Sequence, residues 1–220
     1  MAYSNFTDLE AIANELNLSV ISRKHLFSDI PAIDYSQLLT QILEDNVPLA
    51  LAINTEKARS ELIITPILVE LRKKMQGKIS LFSGREFNVA PEKGLNGFCD
   101  FLISRSPEQL FIQAPAIVMV EAKNDNIPGG LAQCIAEMVA AQLFNEQHQN
   151  AIARIYGVVT TGTNWRFLQL EDRVVQVDLT EYFLDNLGQI IGILCACIDD
   201  REDDSLEIGD RVVESPDYNN

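Results

Sequence analysis

Apolar positions along the chain change period several times, and each change predicts an element. From Ser4 to Asn17 the residues Leu9, Ile12, Ala13 and Leu16 recur at helical spacing, so a first helix is expected there with Asn5 or Thr7 as its cap. Ile30-Pro31-Ala32 and Pro48 bracket a short helix over Tyr35 to Glu44. Asn54 to Gln76 has helical composition interrupted by Pro66, which predicts either a kink or a new helix starting near Thr65 with Pro66 in its first turn. Strand-like runs follow at Phe82 to Ala90, Gly97 to Ser104 and Ala116 to Asn124. A Pro128-Gly129-Gly130 loop then leads into a helix over Leu131 to Gln147, whose stripe is Leu131, Ile135, Met138, Val139 and Leu143. The pattern returns to strand at Ile155 to Thr161, continues as a hairpin of Trp165 to Leu170 and Val174 to Val177, and closes with a helix over Tyr182 to Ile198.

This alternation makes two strands conspicuous, because both carry charge where a core prefers none. Side chains alternate faces at period two, so Ile117, Met119, Glu121 and Lys123 share one face, and Asp100 shares its face with Phe98, Leu102 and Ser104. Asp is depleted in strands and is rarely buried without a partner. Arg105 to Pro115, with its Ser106-Pro107 turn signal, is short enough to join the two strands as a hairpin and bring Asp100 beside Glu121. Two adjacent carboxylates repel unless a cation lies between them, and carboxylate oxygens are hard ligands suited to Mg²⁺.

An Asp on one strand followed by Glu-x-Lys on the next resembles the PD-(D/E)xK nuclease superfamily, whose core is the restriction-endonuclease-like fold. Cys99 stands where that motif carries Pro, and the gap between the two halves is long for the family. The resemblance spans roughly Glu61 to Leu170. It implies an α/β fold: a mixed β-sheet flanked by helices, with an N-terminal helical extension. It also implies that Asp100 and Glu121 hold Mg²⁺ or Mn²⁺, and that Lys123 orients the attacking water, helps to deprotonate it, or steadies the scissile phosphate. Glu61, in register with Ile64, Thr65 and Leu68, is the expected third metal ligand from the preceding helix. Gln133 is a further candidate for the site, Gln142 a poorer one, and Gln133 shares a helical face with Glu137. The implied activity is hydrolysis of phosphodiester bonds, in DNA, in restriction, repair or mobile-element processing, with a homodimer expected by analogy.

Length and composition bound this reading. A chain of 220 residues, 47% of them hydrophobic, can bury one substantial core. The expected organisation is one α/β domain over 1–198, with helices over 1–76, a nuclease-like core over about 61–178, a C-terminal helix over 182–198, and an acidic, weakly ordered tail over 199–220. No charged start followed by an apolar stretch opens the chain, which favours a cytoplasmic protein with no membrane association. Leu187 to Ile198, the most apolar segment, reads as a buried helix. Cys99, Cys134, Cys195 and Cys197 form no Cys-x-x-Cys pair, and His25 and His148 have no partner at ligand spacing, so zinc and a disulfide framework are not expected. Trp165 reads as core. No phosphate-cradling Gly-rich loop and no Gly-x-Ser-x-Gly elbow occurs.

Charge is the main argument against a nuclease. The chain carries 17 basic and 32 acidic residues, a net charge of -15, whereas phosphate-gripping proteins usually present a basic surface. Only the stretch 57–105, leading into Asp100, is net basic; its Lys57, Arg59, Arg72, Lys73, Lys74, Lys78 and Arg85 offer a local phosphate-binding face or a solvated helix surface. The rival reading is a catalytically silent protein that keeps the fold as a protein-binding or regulatory module, facing its partner with the acidic surface or tail.

Overall fold

A computed structural model describes residues 2–150 and 152–200. The chain folds as a mixed α/β structure around an eight-stranded sheet in the order β1-β7-β6-β5-β4-β3-β2, with β8 added beside β6. The strands are β1 (Ser19–Arg23), β2 (Ser80–Glu86), β3 (Phe98–Ser104), β4 (Ala116–Ala122), β5 (Arg154–Thr160), β6 (Asn164–Glu171), β7 (Val174–Asp178) and β8 (Tyr182–Phe183). β2, β3 and β4 form an antiparallel meander, whereas β4 and β5 run parallel and so need a crossover.

That crossover is α5 (Ile127–Gln147), which lies on one sheet face together with α1 (Leu9–Glu15). The opposite face is covered by α2 (Gln37–Ile53), α4 (Thr65–Lys74) and α6 (Leu187–Asp199). With both faces covered, β4 is buried at every position, which explains why its sequence is an almost unbroken apolar run. α5 is long and apolar enough to cross a membrane by composition, but its apolar residues pack on the sheet.

Several elements depart from the sequence pattern, each for a local reason. The first helix starts only at Leu9, because Asp8 caps it by accepting the Ala11 N–H at 2.7 Å, and the chain before it turns to bury Tyr3, whose hydroxyl donates to the Phe87 carbonyl at 2.6 Å. α2, capped by Ser36, runs through Pro48 to Ile53; Pro48 is exposed, so the bond it removes is lost on the solvent side. α5 begins at Ile127, with Asn126 capping the Gly129 N–H at 3.0 Å and Pro128 in the first turn, so Pro128-Gly129-Gly130 is helix and not loop. The last helix starts at Leu187, since Tyr182 and Phe183 pair with β6. β1 is too short and too exposed to have shown a period. The acidic segment 201–220 lies outside the described residues.

Pro66 is accommodated by a new helix and a widened turn. α3 (Glu56–Arg59) passes into a π-helical turn, Ser60–Ile64, before α4 starts at Thr65 with Pro66 in its first turn. The Leu62 carbonyl, which has no N–H to accept from Pro66, takes the Asn46 side-chain amide at 2.9 Å instead. This widened turn sets which helix side chains face the sheet end where Asp100 and Glu121 emerge.

Candidate active site

The β3–β4 pairing sets Asp100 against Glu121. Phe101 pairs with Val120, so the next step of the antiparallel register puts the two carboxylates opposite one another. One Asp100 oxygen accepts the Ala122 N–H at 2.8 Å, which pins the side chain across the strand end. Glu121 is fully buried, with one oxygen bound by the Lys123 ammonium and the other by the Gln133 amide at 2.9 Å. Asp100, Glu121, Lys123 and Gln133 are thus brought together, from three elements.

Glu61 sits differently. It is exposed, paired with Lys57 at 2.9 Å, and lies on the rim of a shallow cleft of about 240 Å³ that it shares with Asp100, Ser60, Ser83 and Gly84. The helix carboxylate nearer the centre is Glu56, at the start of α3, 3.9 Å from the Lys123 ammonium and lining the same cleft. Glu56 in α3 and Glu61 in the π-helical turn thus both line the cleft, five residues apart.

A second missed carboxyl is Glu137, one helical turn after Gln133 on α5. It has no solvent exposure, and one of its oxygens accepts the Gln133 amide at 3.4 Å. Its four-residue spacing from Gln133 was the available signal. Arg59 was misread as part of a basic surface: it is buried, and its guanidinium bonds the Asn124 side chain at 3.1 Å and the Thr161 carbonyl at 3.0 Å. It therefore ties α3 to the segment carrying Lys123. Gln142 lies away from the centre, bonding the Asp172 carbonyl.

The electrostatics follow from four carboxyls around one ammonium. Burial, then the neighbouring Asp100 charge, pushes Glu121 up to about 8 against the opposing pull of Lys123. Glu137 is held well above the usual carboxylate range by burial and then by Glu121 and Asp100. Asp100 and Glu56 are raised chiefly by burial, less so because Lys123 draws both down. Burial alone would lower Lys123, but Glu121, Glu56 and Asp100 outweigh it, so the side chain is held as a cation.

This charge balance suits a hard divalent cation. Among the described residues no group of three or more His, Cys, Asp or Glu side chains is arranged to hold a metal by itself. Mg²⁺ does not require one, since it commonly binds through one or two carboxylates and completes its shell with water and substrate phosphate. Asp100 and Glu121 provide such a pair, of which Asp100 lines the cleft and Glu121 is buried. No protein-family model matches this chain, and no curated protein shows significant sequence similarity to it.

Proposed function

We propose that this protein is a metal-dependent nuclease with a restriction-endonuclease-like core, of the PD-(D/E)xK type, hydrolysing phosphodiester bonds of DNA with Mg²⁺ or Mn²⁺. The observation that carries this reading is the Asp100–Glu121 pair facing across β3 and β4, with Lys123 on the same carboxylate. It is supported by the antiparallel β2-β3-β4 meander followed by the α5 crossover into parallel β5.

Asp100 and Glu121 would hold the metal, and we assign the completing helix carboxylate to Glu56 in preference to Glu61. When bound, the metal would polarise the phosphate and lower the pKa of an attacking water. Lys123, held as a cation, is suited to steadying the phosphate and not to accepting the water's proton. Gln133 holds one Glu121 oxygen, and Arg59 ties α3 to Asn124, next to Lys123.

The reading is tested by incubating linear and supercoiled DNA with the protein in Mg²⁺, Mn²⁺ or EDTA. Cleavage in either metal, lost in EDTA and reduced at least about 100-fold by Lys123→Ala, is the expected result. The net charge of -15 favours the silent, partner-binding module instead. Absence of cleavage on every DNA substrate by a protein that still binds the metal would support that second reading.

A further inference from the structure

Buried polar groups are normally hydrogen-bonded, and the buried carboxyls Asp178 and Glu70 each have a donor on both oxygens. Asp178 accepts from the Thr180 N–H at 2.9 Å, the Tyr182 hydroxyl at 3.1 Å and the Phe27 N–H at 3.4 Å. Glu70 takes both the N–H and the hydroxyl of Ser36, at 2.8 and 2.9 Å. Glu137 has no solvent exposure, yet among the described residues one oxygen has a single protein partner, at 3.4 Å, and the other has none. A carboxyl kept in the core so poorly satisfied costs stability.

Its single partner shows what it does. The Gln133 amide nitrogen carries two hydrogens and lies between Glu121, at 2.9 Å, and Glu137, at 3.4 Å. With a carboxyl oxygen on each side both hydrogens are used, the second of them on Glu137. A Gln bound to Glu121 alone would leave the second hydrogen without this partner.

We propose that Glu137 is a positioning residue of the candidate metal centre, which acts by fixing the amide of Gln133 and, through it, the metal-facing orientation of Glu121. The inference rests on the reading of Asp100 and Glu121 as metal ligands. Groups placed behind a ligand in this way typically alter metal affinity by about 10- to 100-fold. Glu137→Leu removes the acceptor and fills its space with apolar atoms; Glu137→Gln keeps a carbonyl oxygen toward Gln133.

The test is calorimetric titration of Mn²⁺ into the full-length wild type, Glu137→Leu, Glu137→Gln, Gln133→Ala and the Gln133→Ala/Glu137→Leu double variant. It is joined by ¹⁵N spectra of the Gln133 side-chain amide in the metal-free proteins. We expect Glu137→Leu to melt no lower than wild type but to bind Mn²⁺ about tenfold more weakly, Glu137→Gln to stay within about twofold, and Glu137→Leu to add nothing in the Gln133→Ala background. Unchanged affinity in Glu137→Leu, or additive losses in the double variant, would overturn the proposal. Should the wild type bind no Mn²⁺, the metal reading fails and the amide decides: resonances displaced by Leu but restored by Gln uphold the positioning role, and resonances unmoved by Leu refute it.

Discussion

Glu121 accepts two donors and still has its proton affinity pushed up to about 8, because burial and Asp100 together outweigh Lys123. That imbalance has a thermodynamic signature. A carboxyl whose folded value is raised stabilises the fold fully below its ordinary value, and loses that stabilisation as the pH rises through the folded value. Metal-free protein should therefore lose melting temperature between about pH 5 and pH 8.5. Mg²⁺ should restore it by binding only the folded, ionised site. Glu121→Gln should flatten the decline, and a melting temperature equally pH-dependent in Glu121→Gln would remove Glu121 from this account. Asp100, Glu121 and Lys123 were legible in the sequence, because a charge inside an apolar strand breaks the period that surrounds it. Glu137 was legible only as a residue on the face of Gln133, because the spacing does not show that the sheet buries it.

The hairpin of β3 and β4 and the crossover α5 position the site, and both were anticipated by alternation and by helical spacing. What the pattern missed came from tertiary contacts. Pro48 and the Pro128-Gly129-Gly130 run read as breaks, yet both lie within helices, the first because it faces solvent and the second because Asn126 caps it. Gly130 has a specific reason to be Gly: a Cβ there would stand 2.7 Å from the Val159 side chain and 3.1 Å from the Lys123 stem. Gly130→Ala is therefore expected to cost about 1–3 kcal/mol in chemical denaturation, and to weaken Mn²⁺ binding by displacing Lys123 and the start of α5. Wild-type stability and affinity in Gly130→Ala would show that α5 does not register the site through this contact. The π-helical turn at Ser60–Ile64 is likewise invisible to a search at period 3.6, which puts Glu61 in register with Ile64, Thr65 and Leu68 and does not single out Glu56.

At the scale of the whole molecule, the charge of -15 argues against a broad basic face for phosphate. Arg59 is buried, Lys57 is paired with Glu61, and Arg72, Lys73 and Lys74 fall in the last turn of α4, where they complement the helix dipole. If the protein acts on DNA as proposed, the DNA would be held largely through the metal. With Lys123→Ala, which keeps the carboxylates, a labelled oligonucleotide should bind in Ca²⁺ and be released by EDTA, with a shallow salt dependence corresponding to about one or two phosphate contacts. Binding that survives EDTA and falls steeply with salt would relocate the interface to the residues of 57–105.

Metal binding and cleavage both require that Asp100 and Glu121 form a metal site. Isothermal titration of Mn²⁺ into the wild type and into Asp100→Ala tests it most directly. Saturable binding by the wild type, abolished in an Asp100→Ala protein that remains folded by circular dichroism, is the predicted result. Heat signals that are absent in the folded wild type, or unchanged in Asp100→Ala, would contradict it.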